Sequence, residues 1–499
     1  MDLAMVRKTG ACGMKNGRTE KNSGSGAMQN PVWTLSQVLL ATGGRFLTGR
    51  TEAGFRRVCT DSRAIQPGDL FVALRGENFD GHAYLGQAVE KGAAGLVVDT
   101  LPEKMPVVPM VPVVLVADTL RALGDLAAYR RSLMPDLQVV AITGSCGKTT
   151  VKEMIAAILA REYNVLKTQG NFNNLIGMPL SLLPVEFHHD FAVMEMGMNQ
   201  PGEIARLAEI ADPDIACITN VQDAHLAGLS NIAGVARAKG ELFAGIKAWG
   251  KLVVNIDDKR VRGIARRCSQ KKITFGRSPK ADVRGLRLRS LGERGMAFTL
   301  QIGANEARVK LRSLGAHNVQ NALAAAGMAH AAGVKFVDIV AGLESAVPFE
   351  KRLQVQKLMG GIRLVNDAYN ANPSSMLAAL ETLHQMDRSH KKVVVLGDML
   401  ELGAQSAAAH QDLGRAVARL GFDGLLAVGE FAETLVAAAW KGGMSKKAAM
   451  FFAKKEQVSD WLRKSIAAGS LKPGDWVLVK GSRGMRMETI TYDLLEKQG

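Results

Sequence analysis

The pattern of apolar and polar positions changes character along the chain. Between 137 and 257, short apolar runs alternate with amphipathic stretches. "LQVVAI" (137–142), "FAVMEM" (191–196), "DIACITN" (214–220) and "KLVVNID" (251–257) read as buried strands, with helices over 148–160 and 201–211 between them. That alternation predicts a mostly parallel sheet covered by helices. "GAHNVQNALAAAGMAHAAG" (315–333) predicts a long Ala-rich helix closing the unit. After "VPFEKR" (347–352) the rhythm restarts, with strands at 362–368, 391–397, 424–429, 448–453 and 475–481. This reads as a smaller, doubly wound, Rossmann-like unit.

Residues 30–118 mix shorter runs with turns. "TLSQVLLATGG" (34–44) predicts a helix capped by Thr34 and stopped by glycines. "DLFVALRG" (69–76) alternates like a half-buried strand, and "AAGLVVD" (93–99) predicts another. The expected architecture is therefore α/β with three domains: a small α/β N-terminal module (29–118), a central P-loop ATPase domain (119–346) and a C-terminal Rossmann-like domain (347–499). Residues 1–28 carry charges and glycines without an apolar core, and read as a disordered tail.

Composition narrows the class. The chain has 499 residues, consistent with about three domains at roughly 100–200 residues each. Sixty-three Lys and Arg stand against 47 Asp and Glu, a net charge of +16. The charge is dispersed, and clusters such as "ARRCSQKK" (265–272) and "RGLRLRS" (284–290) read as solvated faces, so no nucleic-acid partner is expected. Five cysteines with no close pair point to reduced thiols and a cytoplasmic setting. The longest apolar run, "MPVVPMVPVVLVA" (105–117), is too short and proline-broken to insert in a membrane. A monomer is expected.

The chemistry starts at "AITGSCGKTT" (141–150), which leaves a strand and opens a helix. Backbone N–H groups of such a turn converge on one anion, Lys148 can meet β/γ-phosphates, and the Thr149 hydroxyl can meet Mg²⁺. The glycine usually found six residues before the lysine is absent; Ile142 stands there. Glu195 ends one strand and His225 lies just after another, at the same expected sheet edge, where ligands bind. By position alone each serves equally well as a metal ligand or as a structural group. Lys239, in "ARAKGELF", reads by composition as an ordinary surface lysine.

Together these stretches resemble the Mur ligase family, whose shorter loop, TG[S/T]xGK[T/S]T, is matched by "TGSCGKTT". "CTDSRAIQPGDLFVALRGENFDGH" (59–82), "GNFNNLIGMPLSLL" (170–183), "VNDAYNANPSSM" (365–376), "VLGDMLELG" (395–403) and "VLVKGSRGMRME" (477–488) are similar to the branch that uses UDP-N-acetylmuramoyl-tripeptide and D-alanyl-D-alanine. The resemblance runs from about residue 31 onward. It implies ATP-dependent amide formation in peptidoglycan precursor synthesis, with ATP and Mg²⁺ as cofactors. It assigns Thr143, Gly144, Ser145, Cys146, Gly147, Lys148, Thr149 and Thr150 to ATP, and Asn318 and Asn321 to its adenine. Arg352 and Asp367 are implied to reach ATP when the domains close, about hinges near 119–136 and 345–351. Thr60, Asp61, Ser62 and Arg63 are implied to meet the uridine diphosphate, and Asn174, Asn370 and Asn372 the remaining substrate. Thr149, Glu195, His225 and a carbamylated Lys239 are the implied magnesium site. Departures include Gln200, where a histidine is common, and "NVQDAHLAGL" in place of "NIGxAHLEGF". Cys146 occupies the variable position, so no catalytic thiol is expected.

Overall fold

The computed structural model describes residues 33–76, 79–101, 111–222, 229, 231–358, 360–387 and 389–496. The N-terminal tail and His225 lie outside them. The first unit opens with helix α1 (Leu35–Thr42), whose N-cap Thr34 forms a capping box with Gln37 and whose C-cap Gly43 is left-handed at φ +61°. Its sheet contains β1 (Arg45–Thr48), β2 (Val58–Cys59), β3 (Leu70–Val72), β4 (Gly95–Val98) and β5 (Val113–Leu115), in the order β1-β5-β4-β3-β2. Helix α2 (Leu85–Glu90) lies between β3 and β4. The alternation expected at 69–76 is corrected by β3, which is buried throughout. It lies between β2 and β4, with Leu70 and Val72 in one core and Phe71 in the other, so neither face meets water.

Helix α3 (Thr119–Ser132) follows, capped by Asp118. This corrects the expectation of a hinge over 119–136. The helix packs on α1 and on two helices of the middle unit, and one apolar cluster runs from Trp33 through Leu123 to Ala265. The first two units share a core, so bending within 119–132 would tear buried contacts.

The middle unit runs β6 (Gln138–Thr143), α4 (Lys148–Leu159), β7 (Val165–Lys167), α5 (Gly177–Leu182), β8 (Phe191–Glu195), α6 (Glu203–Ala211), β9 (Ile215–Ile218), α7 (Ile232–Ala244), β10 (Lys251–Asn255), α8 (Lys259–Ala265) and β11 (Lys271–Gly276). Strands β12 (Val283–Ser290), β13 (Met296–Ile302) and β14 (Asn305–Leu311) then precede α9 (Ala316–Ala331) and α10 (Phe336–Ser345). The nine strands order as β7-β8-β6-β9-β10-β11-β12-β13-β14, parallel through β12 and antiparallel beyond. The "RGLRLRS" stretch, read as a solvated face, is a strand whose outer side chains are exposed. The order reverses around β6, which opens a crevice beyond its C-terminal end.

The third unit has β15 (Gln354–Lys357), β16 (Arg363–Asp367), α11 (Pro373–His384), β17 (Lys392–Gly397), α12 (Ser406–Leu420), β18 (Gly424–Val428), α13 (Ala432–Lys441), β19 (Ala449–Phe452), α14 (Lys455–Ala467), β20 (Trp476–Lys480) and α15 (Glu488–Glu496). All five expected strands are present. The unexpected β15 adds antiparallel to β16 at the edge. The order β15-β16-β20-β17-β18-β19 separates two cores, one on each face.

Helix α10 crosses α4 at Gly342, where a Cβ would fall 2.5 Å from the Ile158 Cα. Gly263, inside α8, has open space around it. Gly342→Ala should therefore lower the urea midpoint, overpacking costing about 1–3 kcal/mol. Gly263→Ala should raise it by roughly 0.5–1 kcal/mol of helix propensity. Urea unfolding of the two variants checks this; shifts of the same sign would contradict the packing argument.

Candidate functional site

The loop leaving β6 is shaped by two close approaches. A Cβ on Gly144 would fall 1.9 Å from Thr219 Oγ1, and one on Gly147 2.3 Å from Asn321 Oδ1. Gly147 also sits at φ +85° and caps α4 without a side-chain acceptor, leaving the first-turn N–H groups to an anion. The loop is tied to the chain after β9. Cys146 N donates to Asn220 Oδ1 (2.9 Å), Thr219 Oγ1 donates to Cys146 O (2.6 Å), and Ser145 Oγ donates to Gln222 O (2.9 Å). Thr143 Oγ1 donates to Met196 O (2.8 Å), and Ile142 is a fully buried residue of β6.

Lys148 Nζ donates to Gly144 O (2.8 Å). Burial lowers its pKa, while the Glu195 carboxylate pulls it back up. Glu195 ends β8 with 1% of its surface exposed. Its Oε1 accepts from Thr149 Oγ1 (3.2 Å) and from Asn173 Nδ2 (2.8 Å), while its buried Oε2 has no hydrogen-bond partner. Lys152 Nζ stands 4.0 Å from that oxygen and donates to Thr168 O (2.8 Å) and Gly170 O (3.2 Å). Lys239 is fully buried on α7, and burial first, then the Lys148 charge, push its pKa well down. It is not a surface lysine.

The third unit reaches the same point. Arg352 Nη2 donates to Thr149 Oγ1 (2.9 Å), and the guanidinium stacks 4.2 Å from the Tyr369 ring. Asn372, the N-cap of α11, places its Nδ2 3.2 Å from Cys146 Sγ. Asp367 Oδ2 pairs with Lys480 Nζ (2.6 Å), side by side in β16 and β20. Asn370 Oδ1 accepts from Ala371 N (2.9 Å).

A cleft of about 950 Å³ opens between the middle and third units. The loop, Glu195, Asn174, Asn318, Asn321, Arg352, Asp367, Asn370 and Asn372 line it. Asn318 Nδ2 donates to Leu314 O (2.7 Å) and Asn321 Nδ2 to Asn318 Oδ1 (2.8 Å), which pins Asn321 over Gly147. Asn174 Oδ1 caps the start of α5 through Gly177 N (2.8 Å). Thr60, Asp61, Ser62 and Arg63 follow β2 in the first unit, away from this cleft. There Arg63 pairs with Asp61 (2.8 Å) and lowers its carboxyl to about 2.

Sequence reading missed Lys152, Asn173, His317 and Lys480. Lys480 could have been found, since it ends a strand at the same kind of sheet edge as Glu195. Asn173 could not be separated from Asn171 and Asn174 in "GNFNN" by pattern alone.

Thr149 and Glu195 suit a hard divalent cation. Hydroxyl and carboxylate are its ligand types, and the orphaned Oε2 supplies unused acceptor capacity. Among the described residues no group of three or more His, Cys, Asp or Glu comes together.

A phosphate loop, a carboxylate on the neighbouring strand and a guanidinium from a further Rossmann-like unit define an ATP-dependent ligase of three domains. The chain belongs to the Mur ligase family. Residues 55–131 match the Mur ligase family catalytic domain, 142–329 the Mur ligase middle domain and 351–483 the Mur ligase glutamate ligase domain. It is 38% identical to the UDP-N-acetylmuramoyl-tripeptide–D-alanyl-D-alanine ligase of Bacillus subtilis, over 88% of this chain and 93% of that one. The Escherichia coli ligase of the same name is also 38% identical, with the same coverage. Crystal structure I of MurF from Acinetobacter baumannii superposes with a TM-score of 0.84, at 38% identity, covering 93% of this chain and 99% of that one. MurF ligase of Thermotoga maritima in complex with ADP gives a TM-score of 0.78 at 28% identity, covering 89% and 98%.

His317 lines the cleft, partly buried, and loss of water lowers its pKa from 6.5 to about 4. Only the unfolded chain takes up its proton between those values, so stability is full above about pH 6.5 and is lost as pH falls toward 4. The loss reaches roughly 3 kcal/mol. His317→Gln should flatten this part of the pH–stability profile, measured as melting temperature from pH 7 to 4. An unchanged acid slope would contradict the assignment.

Proposed function

We propose that the cleft joins D-alanyl-D-alanine to UDP-N-acetylmuramoyl-tripeptide at the expense of ATP, in a cytoplasmic monomer. One observation carries the reading: Thr149 is held at once by Glu195 of the middle unit and Arg352 of the third. The position expected beside the nucleotide is thus the place where the two units meet.

An amide does not form from a carboxylate in water without activation. In the proposed route the tripeptide carboxylate attacks the γ-phosphorus, breaking the bond to ADP and forming an acyl phosphate. The dipeptide amine then attacks the acyl carbon, phosphate leaves, and the amine gives up its proton. The protein's contribution is positioning and charge neutralisation. Gly144 through Thr150 hold the phosphates by backbone N–H, with Lys148 offsetting their charge. Asn318 and Asn321 face the adenine, while Arg352 and Asp367 approach the nucleotide from the third unit. Thr60 to Arg63 take the uridine diphosphate, Asn174 the muramyl peptide, and Asn370 and Asn372 the dipeptide side of the cleft. Mg²⁺, when bound, neutralises phosphoryl oxygens. Thr149 and Glu195 would hold it, and His225 and a carbamylated Lys239 would complete the set. A neutral buried amine is the form of lysine that adds carbon dioxide, so the depressed pKa of Lys239 supports that modification.

Phosphate release measured with UDP-muramyl-tripeptide, ATP and D-alanyl-D-alanine, each omitted in turn, tests the reading. Release should need all three, and Lys148→Ala should lower it by several orders of magnitude without unfolding the chain. Release independent of the dipeptide would sink the proposal.

Lys239→Ala should also be slow, and short-chain carboxylates should partly restore it. Full activity without them would remove Lys239 from the site.

A further inference from the structure

The net charge is not evenly spread. Between residues 251 and 312, seventeen Lys and Arg stand against five Asp and Glu, a surplus of twelve out of the chain's +16. Strand register decides where it goes. Rows across β12, β13 and β14 bring Arg289, Ala297 and Lys310 together, then Leu286, Thr299 and Arg308, then Arg284, Gln301 and Glu306. All of these share the face opposite α9 and α10, since Val283, Phe298, Leu300 and Ile302 point the other way into the core with α9. Lys272 falls on the same outer side of β11. Helix α8 packs on that side through Val261 and Ala265 and exposes Arg262, with Arg266 and Arg267 exposed just beyond its end.

Arg289, Arg308 and Lys310 are exposed and form no ion pair among the described residues; the nearby Arg287 pairs with Glu306 at 3.2 Å. Eight like charges on one open sheet face and helix flank repel one another, which a protein tolerates more readily when something anionic covers them.

We propose that the outer face of β11–β14, with the exposed flank of α8, docks the protein on an anionic phospholipid bilayer. The match is of charge and shape. Arg287, Arg289 and Arg308 border a hollow of about 410 Å³ that also holds the Glu306 carboxylate, which opposes a single bound phosphate, while Lys272, Lys310 and the α8 arginines lie outside it, spread as a planar anionic surface requires. Single-stranded nucleic acid binds through aromatic stacking, and the aromatics of these strands, Phe275 and Phe298, are buried. A protein partner wants an apolar centre, and the middle of this face is Ala297 and Thr299, ringed by charge. Docking is peripheral, because among the described residues no helix is long and apolar enough to cross a membrane.

Sedimentation of the full-length protein with vesicles tests this. Vesicles of phosphatidylcholine with about one-third phosphatidylglycerol should bind it, those of phosphatidylcholine alone should not, and about 500 mM salt should release it. The triple variant Arg289→Gln/Arg308→Gln/Lys310→Gln should lower the partition coefficient about a hundredfold, at about one kcal/mol per charge, with turnover and urea midpoint unchanged. Undiminished binding by the variant, equal binding to neutral vesicles, or tighter binding to single-stranded RNA at the same salt would each overturn the proposal.

Discussion

The site is organised around a carboxylate that water cannot reach. Glu195 is 1% exposed, and an ionised group in such a place must be compensated or it will take up a proton. Its partners come from separate parts of the chain: Thr149 from the first turn of α4, Asn173 from the loop after β7, and the Lys152 ammonium from the second turn of α4. Satisfying one acid therefore fixes the phosphate loop, the asparagine-rich loop and the end of β8 relative to one another. Lys152 also donates to the carbonyls of Thr168 and Gly170, so the support of Glu195 and the path of that loop are one constraint.

The third unit joins this arrangement through a short segment. Arg352 reaches Thr149 while its neighbours Lys351 and Leu353 lie at φ +60° and +48°, a region costly for bulky side chains. Two such residues flanking the arginine place backbone strain where the polypeptide passes between units. The Leu353 N–H bonded to Asp367 Oδ1 (3.1 Å), and the stacking of Arg352 on Tyr369, help hold it. The first two units share a core around 119–132, and this strained segment is the passage from the middle unit to the third. Cys146 meets Asn372 across the same cleft, which gives the family's variable loop position a contact between units instead of a thiol chemistry.

Most strands were legible because the parallel parts of both main sheets are covered on both faces and their strands are continuous apolar runs. The antiparallel strands β12 to β14 were not, because one face is open and carries Arg and Lys at alternate positions. In sequence that alternation looks like a charged surface. Lys148, Thr149 and Glu195 could be found from their places at strand ends. Burial could not: Lys239 and Lys152 look alike in sequence to any solvent-facing lysine, and only the packing of α7 and α4 removes them from water.

That packing bears on how the site handles charge before a nucleotide arrives. Lys239 is fully buried and Lys148 partly buried, and each is depressed chiefly by loss of water. The two do not share the burden equally. The Glu195 carboxylate raises Lys148, whereas Lys239 is lowered further by Lys148 itself. With the carboxylate acting on Lys148, the arrangement favours charge on the lysine of the phosphate loop over charge on Lys239. The loop then presents a cation to phosphate. Burial on α7 favours loss of the Lys239 proton, which carbon dioxide addition requires, and converting the side chain to a carbamate would exchange a costly buried amine for an anionic oxygen ligand. A second carboxylate-like group would also complement Lys148 and any divalent cation at Thr149. The burial of Lys239, costly if it stays an unmodified lysine, is therefore accounted for by the chemistry proposed for it.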